Sequence, residues 1–143
     1  MLVRDISLLG TLESGAAKDY VTAGSSLVAT NALPWKSVGT FSGTFSGGGN
    51  TVDGLYVYHD KGLFSALNGT GSISGLTIGA NSLIDAQANT GAVAAWIEGS
   101  AAIRDCVNEA SVKSSMSAAG IAADVLGTAT IERCGNVGAI SAN

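Results

Sequence analysis

The sequence predicts an all-β chain wound as a parallel β-solenoid with coils of about 28 to 30 residues. Three observations predict it. Only 13% of the 143 residues are charged and 46% are hydrophobic, and Gly, Ser, Thr, Asn, Val and Ile stand where a long helix would draw on Glu, Lys, Arg, Leu and Gln. The 20 glycines, set against a single proline, Pro34, cut the chain into runs too short for helices. From residue 51 onward the chain repeats itself at a period near 29, longer than hexapeptide-type coils and richer in β-branched residues than helical repeats.

The length fits one domain over residues 1–143. Within it, residues 1–34 are expected to hold a first strand and an insertion, and residues 35–143 the repeat coils. Residues 1–9 alternate around Val3, Ile6 and Leu8 and read as the first strand. The following stretch, 10–32, carries weaker signals: it reads as a loop, or as a short helix over 16–21 within an insertion near 16–31.

After Pro34 and Trp35, glycines at 39, 43, 47, 48, 49 and 54 separate short runs of the segment WKSVGTFSGTFSGGGNTVDGLYV. The glycine content alone suits a phosphate-cradling loop. The Lys-Ser/Thr ending of such a loop is missing, so the segment reads as a strand, a glycine corner and a strand.

Four later stretches then align: NTVDGLYV, GSISGLTIG, AAIRDCVNEASV and ATIERCGNVGAIS. Val52, Ile73, Ile103 and Ile131 are expected in one inward column, and Leu55, Leu76, Cys106 and Cys134 in the next, with steps of 21, 30 and 28 residues. Stacked coils place such residues about 4.8 Å apart. Asn108 and Asn136 follow two residues behind the cysteines and are expected to form an amide ladder. A second strand in each unit opens at Gly62, Gly91 and Gly120 and closes at Gly69, Gly99 and Gly127.

The segment 35–57 is similar to the leading part of bacterial GLUG-motif repeat proteins, and GLFSALNGTGSISGLTI and GIAADVLGTATIERCGNVGAIS resemble their repeating unit. LVRDISL resembles the strand that precedes it. The resemblance implies a right-handed parallel β-helix belonging to a larger secreted or cell-surface bacterial protein, in company with adhesins and immunoglobulin-cleaving peptidases. The repeats of that family are not known to carry catalysis. Ser46, Asn50, Trp96 and Asp124 depart from its pattern, at positions expected to alter the surface more than the core.

Residue chemistry points the same way. The carboxylates Asp53, Asp60, Asp85, Glu98, Asp105, Asp124 and Glu132 are spread singly, whereas a glycosidase needs two facing each other across about 5 to 9.5 Å. Asp105 and Glu132, with Arg104 and Arg133 beside them, read as a cross-turn ion-pair set. His59 is the single histidine and sits at a turn, which leaves no metal-ligand cluster and one candidate base. Cys106 and Cys134, in one column, are compatible with two free buried thiols or with a disulfide. Asn68-Gly69-Thr70 matches a glycosylation sequon, but Asn-Gly is first a turn signal. The threonines do not align as the flat array that ice binding needs.

Outward aromatics are the best binding candidates. If Val52, Leu55 and Val57 point inward, Tyr56 and Tyr58 face out beside His59. Trp96 lies in a unit one residue longer than its neighbours, where a bulge would re-aim it. Aromatics so placed stack on sugar rings or meet a protein partner. The bland alternative is that Trp96 and Trp35 cover the core.

The expected function is thus a noncatalytic repeat module of a secreted or surface protein, serving adhesion or acting as a rigid spacer, with a glycan or a host surface protein as partner. The competing class is a carbohydrate-active β-helix enzyme, a polysaccharide lyase or glycoside hydrolase. No cofactor is expected. The net charge of −4 and the absence of a basic stripe argue against nucleic acid. No apolar run approaches the roughly 18 residues that span a bilayer, so no membrane insertion is expected. Unpaired solenoid edges invite end-to-end self-association.

Overall fold

A computed structural model of the chain describes residues 1–8, 20–23, 26–29 and 34–143. Among them there is no helix, and strands stack as a parallel β-solenoid of about four coils. Each coil contributes a strand, or a pair of short strands, to each of three faces, and Thr90–Gly91 pairs with Ala118–Ala119 in a small further sheet. The first face comprises Ile6–Ser7, Thr44–Asp53, Ser72–Ile78, the pair Ala102–Arg104 and Val107–Asn108, and the pair Thr130–Glu132 and Gly135–Asn136. The second face holds Tyr56–Tyr58, Leu83–Ala86, Ser111–Ser114 and Ile140–Ala142. The third holds Val38–Phe41, Phe64–Leu67, Ala94–Ile97 and Ala122–Val125. Equivalent residues on the third face, Val38, Phe64, Ala94 and Ala122, are separated by 26, 30 and 28 residues.

The sequence forms these elements because β-branched and aliphatic residues recur at one position per coil. Val57, Ile84, Val112 and Ile140 form one inward column, and Phe41, Leu67, Ile97 and Val125 another. In the middle coils these side chains are fully buried, which is the apolar burial that holds adjacent coils together. Gly69, Gly99 and Gly127 stack at the corner between the third and first faces, all at positive φ. A left-handed corner repeated in every coil favours glycine.

On the first face the expected column of Ile73, Ile103 and Ile131 is present, but its first member is Phe45, not Val52. Val52 instead pairs with Ile6 on one side and Ile78 on the other, and that column continues to Asn108 and Asn136. The cause is the glycine triplet. Thr44–Asp53 keeps a 28-residue step to the next coil as far as Ser46, then shifts register, and resumes at Asn50 with a 26-residue step. The bulge needs glycine, because a Cβ on Gly47 would run into the backbone carbonyl of Gly75.

Leu55 also leaves its expected column. Its N–H donates to Ser82 Oγ at 3.0 Å and its carbonyl accepts from Leu83 N at 2.8 Å, so it opens the second face. Leu76, Cys106 and Cys134 do share a column, given the flanking register.

The first strand is present as Ile6–Ser7, parallel to Val52–Asp53. The helix expected over 16–21 is not found where it can be assessed. Tyr20–Ala23 and Ser26–Ala29 pair antiparallel, since Val21, Thr22 and Val28 favour strands. Residues 16–19 lie outside the described residues.

Candidate functional site

Most carboxylates in the described residues have structural partners. Asp53 accepts from Asn81 N at 2.9 Å and Asn81 Nδ2 at 2.8 Å. The Asp60 carboxylate accepts from Ser37 N and Lys61 N, and that of Asp124 from Asn89 Nδ2 at 3.0 Å. Arg104 Nε donates to Glu132 at 3.0 Å, while Arg133 donates two bonds to Asp105, at 2.6 and 2.9 Å. Those hydrogen bonds hold the Asp105 carboxyl below its ordinary value and raise Arg133. The expected cross-turn ion-pair set is therefore present on the outside of the first face.

Asp85 differs. Among the described residues neither its carboxylate nor the Lys113 ammonium has a hydrogen-bond or ion-pair partner, although the two residues are paired in register on adjacent coils. Both belong to an outward column of the second face, Tyr58, Asp85, Lys113 and Ser141. A second row, His59, Gln87, Ser115 and Asn143, lies beside it at a constant 28-residue step. Gln87 Nε2 lies 3.1 Å from His59 Nε2, and Ser115 Oγ donates to the Gln87 carbonyl at 3.0 Å. The two rows line a polar groove of about 350 Å³.

The aromatic candidates divide. Val57 is buried, and its neighbours Tyr56 and Tyr58 face away from the core as expected; Tyr58 is 45% exposed. The Tyr56 and Tyr58 rings stack at 6.0 Å, and Tyr58 stacks on His59 at 3.7 Å. His59 occupies the turn position expected of it, with φ 57°. Burial, with neighbouring Tyr58 and Asp85 adding to it, pushes the Tyr56 phenol above its ordinary value.

Trp96 is on the third face, in register with Ala66 and Asp124, and does not join the tyrosines. It is half-buried, with Lys61 Nζ 4.1 Å from its ring centroid. The extra residue of its unit falls before the strand: Val93 N and Ala94 N both donate to the Ile121 carbonyl, and Ala94–Ile97 then pairs without a shift. The irregularity thus leaves Trp96 in regular register. A recess of about 300 Å³ beside it is lined by Lys61, Asn89, Met116 and Asp124.

Asn108 is fully buried and fully bonded. Its amide nitrogen donates to Ala110 O at 3.0 Å and to Asn136 Oδ1 at 2.7 Å, and its oxygen accepts from Ala110 N at 3.1 Å. The expected amide ladder is therefore structural. Both cysteines are free thiols. Cys106 is buried, and that burial is the main reason its thiol is pushed up to about 11. The Asn68-Gly69 stretch is a turn closed by Gly71 N donating to Asn68 O at 2.8 Å.

An apolar recess of about 250 Å³ at the first coil, between Trp35, Phe45, Val52 and Phe64, lacks a polar lining. Among the described residues no group of three or more His, Cys, Asp or Glu side chains is arranged to hold a metal, and no helix is long and apolar enough to cross a membrane.

The sequence reading missed Asp85, Gln87, Lys113 and Ser115 as a set. The signal was the repeat itself, applied to outward rather than inward positions. In comparisons with family models, curated proteins and solved structures, nothing matched the chain.

Proposed function

We propose that this chain is a noncatalytic binding or spacing module, built to hold an outward groove on a rigid coil. The observation that carries this reading is the in-register juxtaposition of Asp85 and Lys113, neither side chain bonded among the described residues, in one polar groove. Most of the candidate carboxylates brace neighbouring coils, while Asp85 and Lys113 stand open in a single groove. One carboxylate with an ammonium beside it suits binding better than glycoside cleavage, which needs a carboxylate pair.

The resemblance to GLUG-motif repeats supports residence in a larger secreted or surface-attached bacterial protein, where a stiff rod with variable outward residues serves adhesion or spacing. Glycan or host surface protein is the partner class. End-to-end association through unpaired solenoid edges is part of the same proposal, and concentration-dependent light scattering tests it.

The functional test pairs glycan and host-protein arrays with a reducing-sugar assay on the same polysaccharides. Retention on an array without turnover supports a binding module. Turnover that disappears in Asp85→Asn would overturn the noncatalytic reading and establish the enzyme class.

A further inference from the structure

We propose that the second-face groove binds an extended, neutral oligosaccharide lying parallel to the solenoid axis. This rests on the binding-module reading above and narrows it to one ligand class and one set of residues. The geometry is repetitive in the direction a polymer would follow. Tyr58, Asp85 and Lys113 succeed one another on adjacent coils, so each step along the groove is one strand spacing, about 4.8 Å. That step is close to the length one pyranose unit adds to an extended chain.

The groove's chemistry matches hydroxyl recognition. Asp85 offers acceptor oxygens and Lys113 three donor hydrogens, and neither is used by another described residue. Gln87 and Ser115 add amide and hydroxyl groups along the second row. A vicinal diol meets such a pair by donating to the carboxylate and accepting from the ammonium.

Tyr58, 45% exposed and stacked with both Tyr56 and His59, supplies exposed aromatic surface at one end against which the C–H groups of a sugar pack. The side chains lining the groove carry one negative and one positive charge, so they offer uronate or sulfated chains no excess of cations to bind. A peptide is a poorer fit. Its side chains would require apolar pockets, whereas this lining is mainly polar, and the second-face strands flanking the groove already pair with their neighbours.

The test is a titration of ¹⁵N-labelled protein, followed by amide shifts, with cellohexaose, β-1,4-mannohexaose and β-1,4-xylohexaose to millimolar concentration, and trigalacturonate as the charged comparison. The proposal expects at least one neutral hexaose to shift amides at 58–59, 85–87 and 113–115. Binding should weaken about tenfold in Asp85→Asn, which keeps an acceptor oxygen but loses the charge assistance of the hydrogen bond, and likewise in Tyr58→Ala, with the remaining spectrum unchanged. No shift with any of the three hexaoses overturns it, as do shifts mapping to another face, tighter binding of trigalacturonate, or undiminished binding by Asp85→Asn. Failure here leaves the module reading to be decided separately by the protein arm of the array.

Discussion

Truncating one inward column should reveal the solenoid as a graded stack. Ile73, Ile103 and Ile131 occupy the same position on three consecutive coils; the first two are 0% exposed, whereas Ile131 is half-buried. Ile→Ala removes three carbon groups, about 2.4 kcal/mol of transfer free energy at roughly 0.8 per methylene. Where coils lie on both sides, the unrelaxed cavity raises the loss towards 3 to 4 kcal/mol, within the roughly 2 to 5 measured for such truncations. Ile131 keeps part of its surface in solvent, so its truncation should cost about half as much.

Urea unfolding followed by circular dichroism gives each value from the midpoint and slope. The expected order is Ile73→Ala and Ile103→Ala nearly equal and Ile131→Ala clearly milder. Ile103→Asp should abolish cooperative unfolding, since a buried carboxylate finds no partner in this column. Equal losses at Ile103 and Ile131, or an unchanged melt for Ile103→Asp, would refute the stack.

The register correction is tested in the same assay. Val52→Ala should couple to Ile78→Val by about 0.5 kcal/mol or more, as contacting residues do, and should be additive with Ile73→Val.

Three further outcomes follow from local geometry. Gly47→Ala should destabilise strongly, because its Cβ meets the Gly75 backbone; Gly49→Ala, at φ +79° with no atom within 4 Å, should lose only the left-handed penalty of about 1 to 2 kcal/mol. At Asp105 and Arg133, both at positive φ and both solvent-exposed, replacing the pair by glycines should raise the melting temperature at neutral pH, as an exposed ion pair contributes less than relief of two left-handed residues. Asp105 titrates below its ordinary value, so the pair's contribution in the wild type is present above the unfolded carboxylate pKa. It is lost as pH falls through the depressed folded value, and the glycine variant should lack that acid step in thermal melts. For Cys106, the shift from 9.0 to about 11 favours the neutral thiol. Its contribution is complete below the unfolded thiol pKa and lost as pH rises towards the folded one, so urea midpoints should drop in alkali for wild type but not for Cys106→Ala. Alkylation mapped by mass spectrometry at pH 8 should label half-buried Cys134 before Cys106.

Which parts of this molecule were legible in the sequence depended on whether the repeat was regular. Ile73, Ile103 and Ile131, and Leu76, Cys106 and Cys134, lie where the step is a plain 30 or 28 residues, and inward periodicity alone located them. Val52 and Leu55 did not follow, because apolar spacing matched Val52-Leu55 to Ile73-Leu76 while the chain accommodated the glycine triplet as a bulge. A one-dimensional pattern finds an insertion only when both flanks are anchored, and here Phe45 was the unrecognised anchor. The antiparallel pair Tyr20–Ala23 and Ser26–Ala29 was missed for a different reason: the stretch lies outside the repeat and was read as a loop or a short helix over 16–21, although Val21, Thr22 and Val28 favour strands.

The groove was less legible than the core for a physical reason. Inward positions are constrained by packing to be apolar, so a column declares itself in residue type; outward positions carry no such constraint, and Tyr58, Asp85, Lys113 and Ser141 share nothing but their register. The Val52 column shows where the two kinds of position meet. Ile6, Val52 and Ile78 run into Asn108 and Asn136, and a buried amide is tolerated there because Ala110 and the next asparagine satisfy it. A change from apolar to polar within an inward column therefore marks bonding to the corner backbone. The charged side chains of Asp85 and Lys113, in an outward column, bond to no neighbouring coil among the described residues, and the binding proposal rests on that difference.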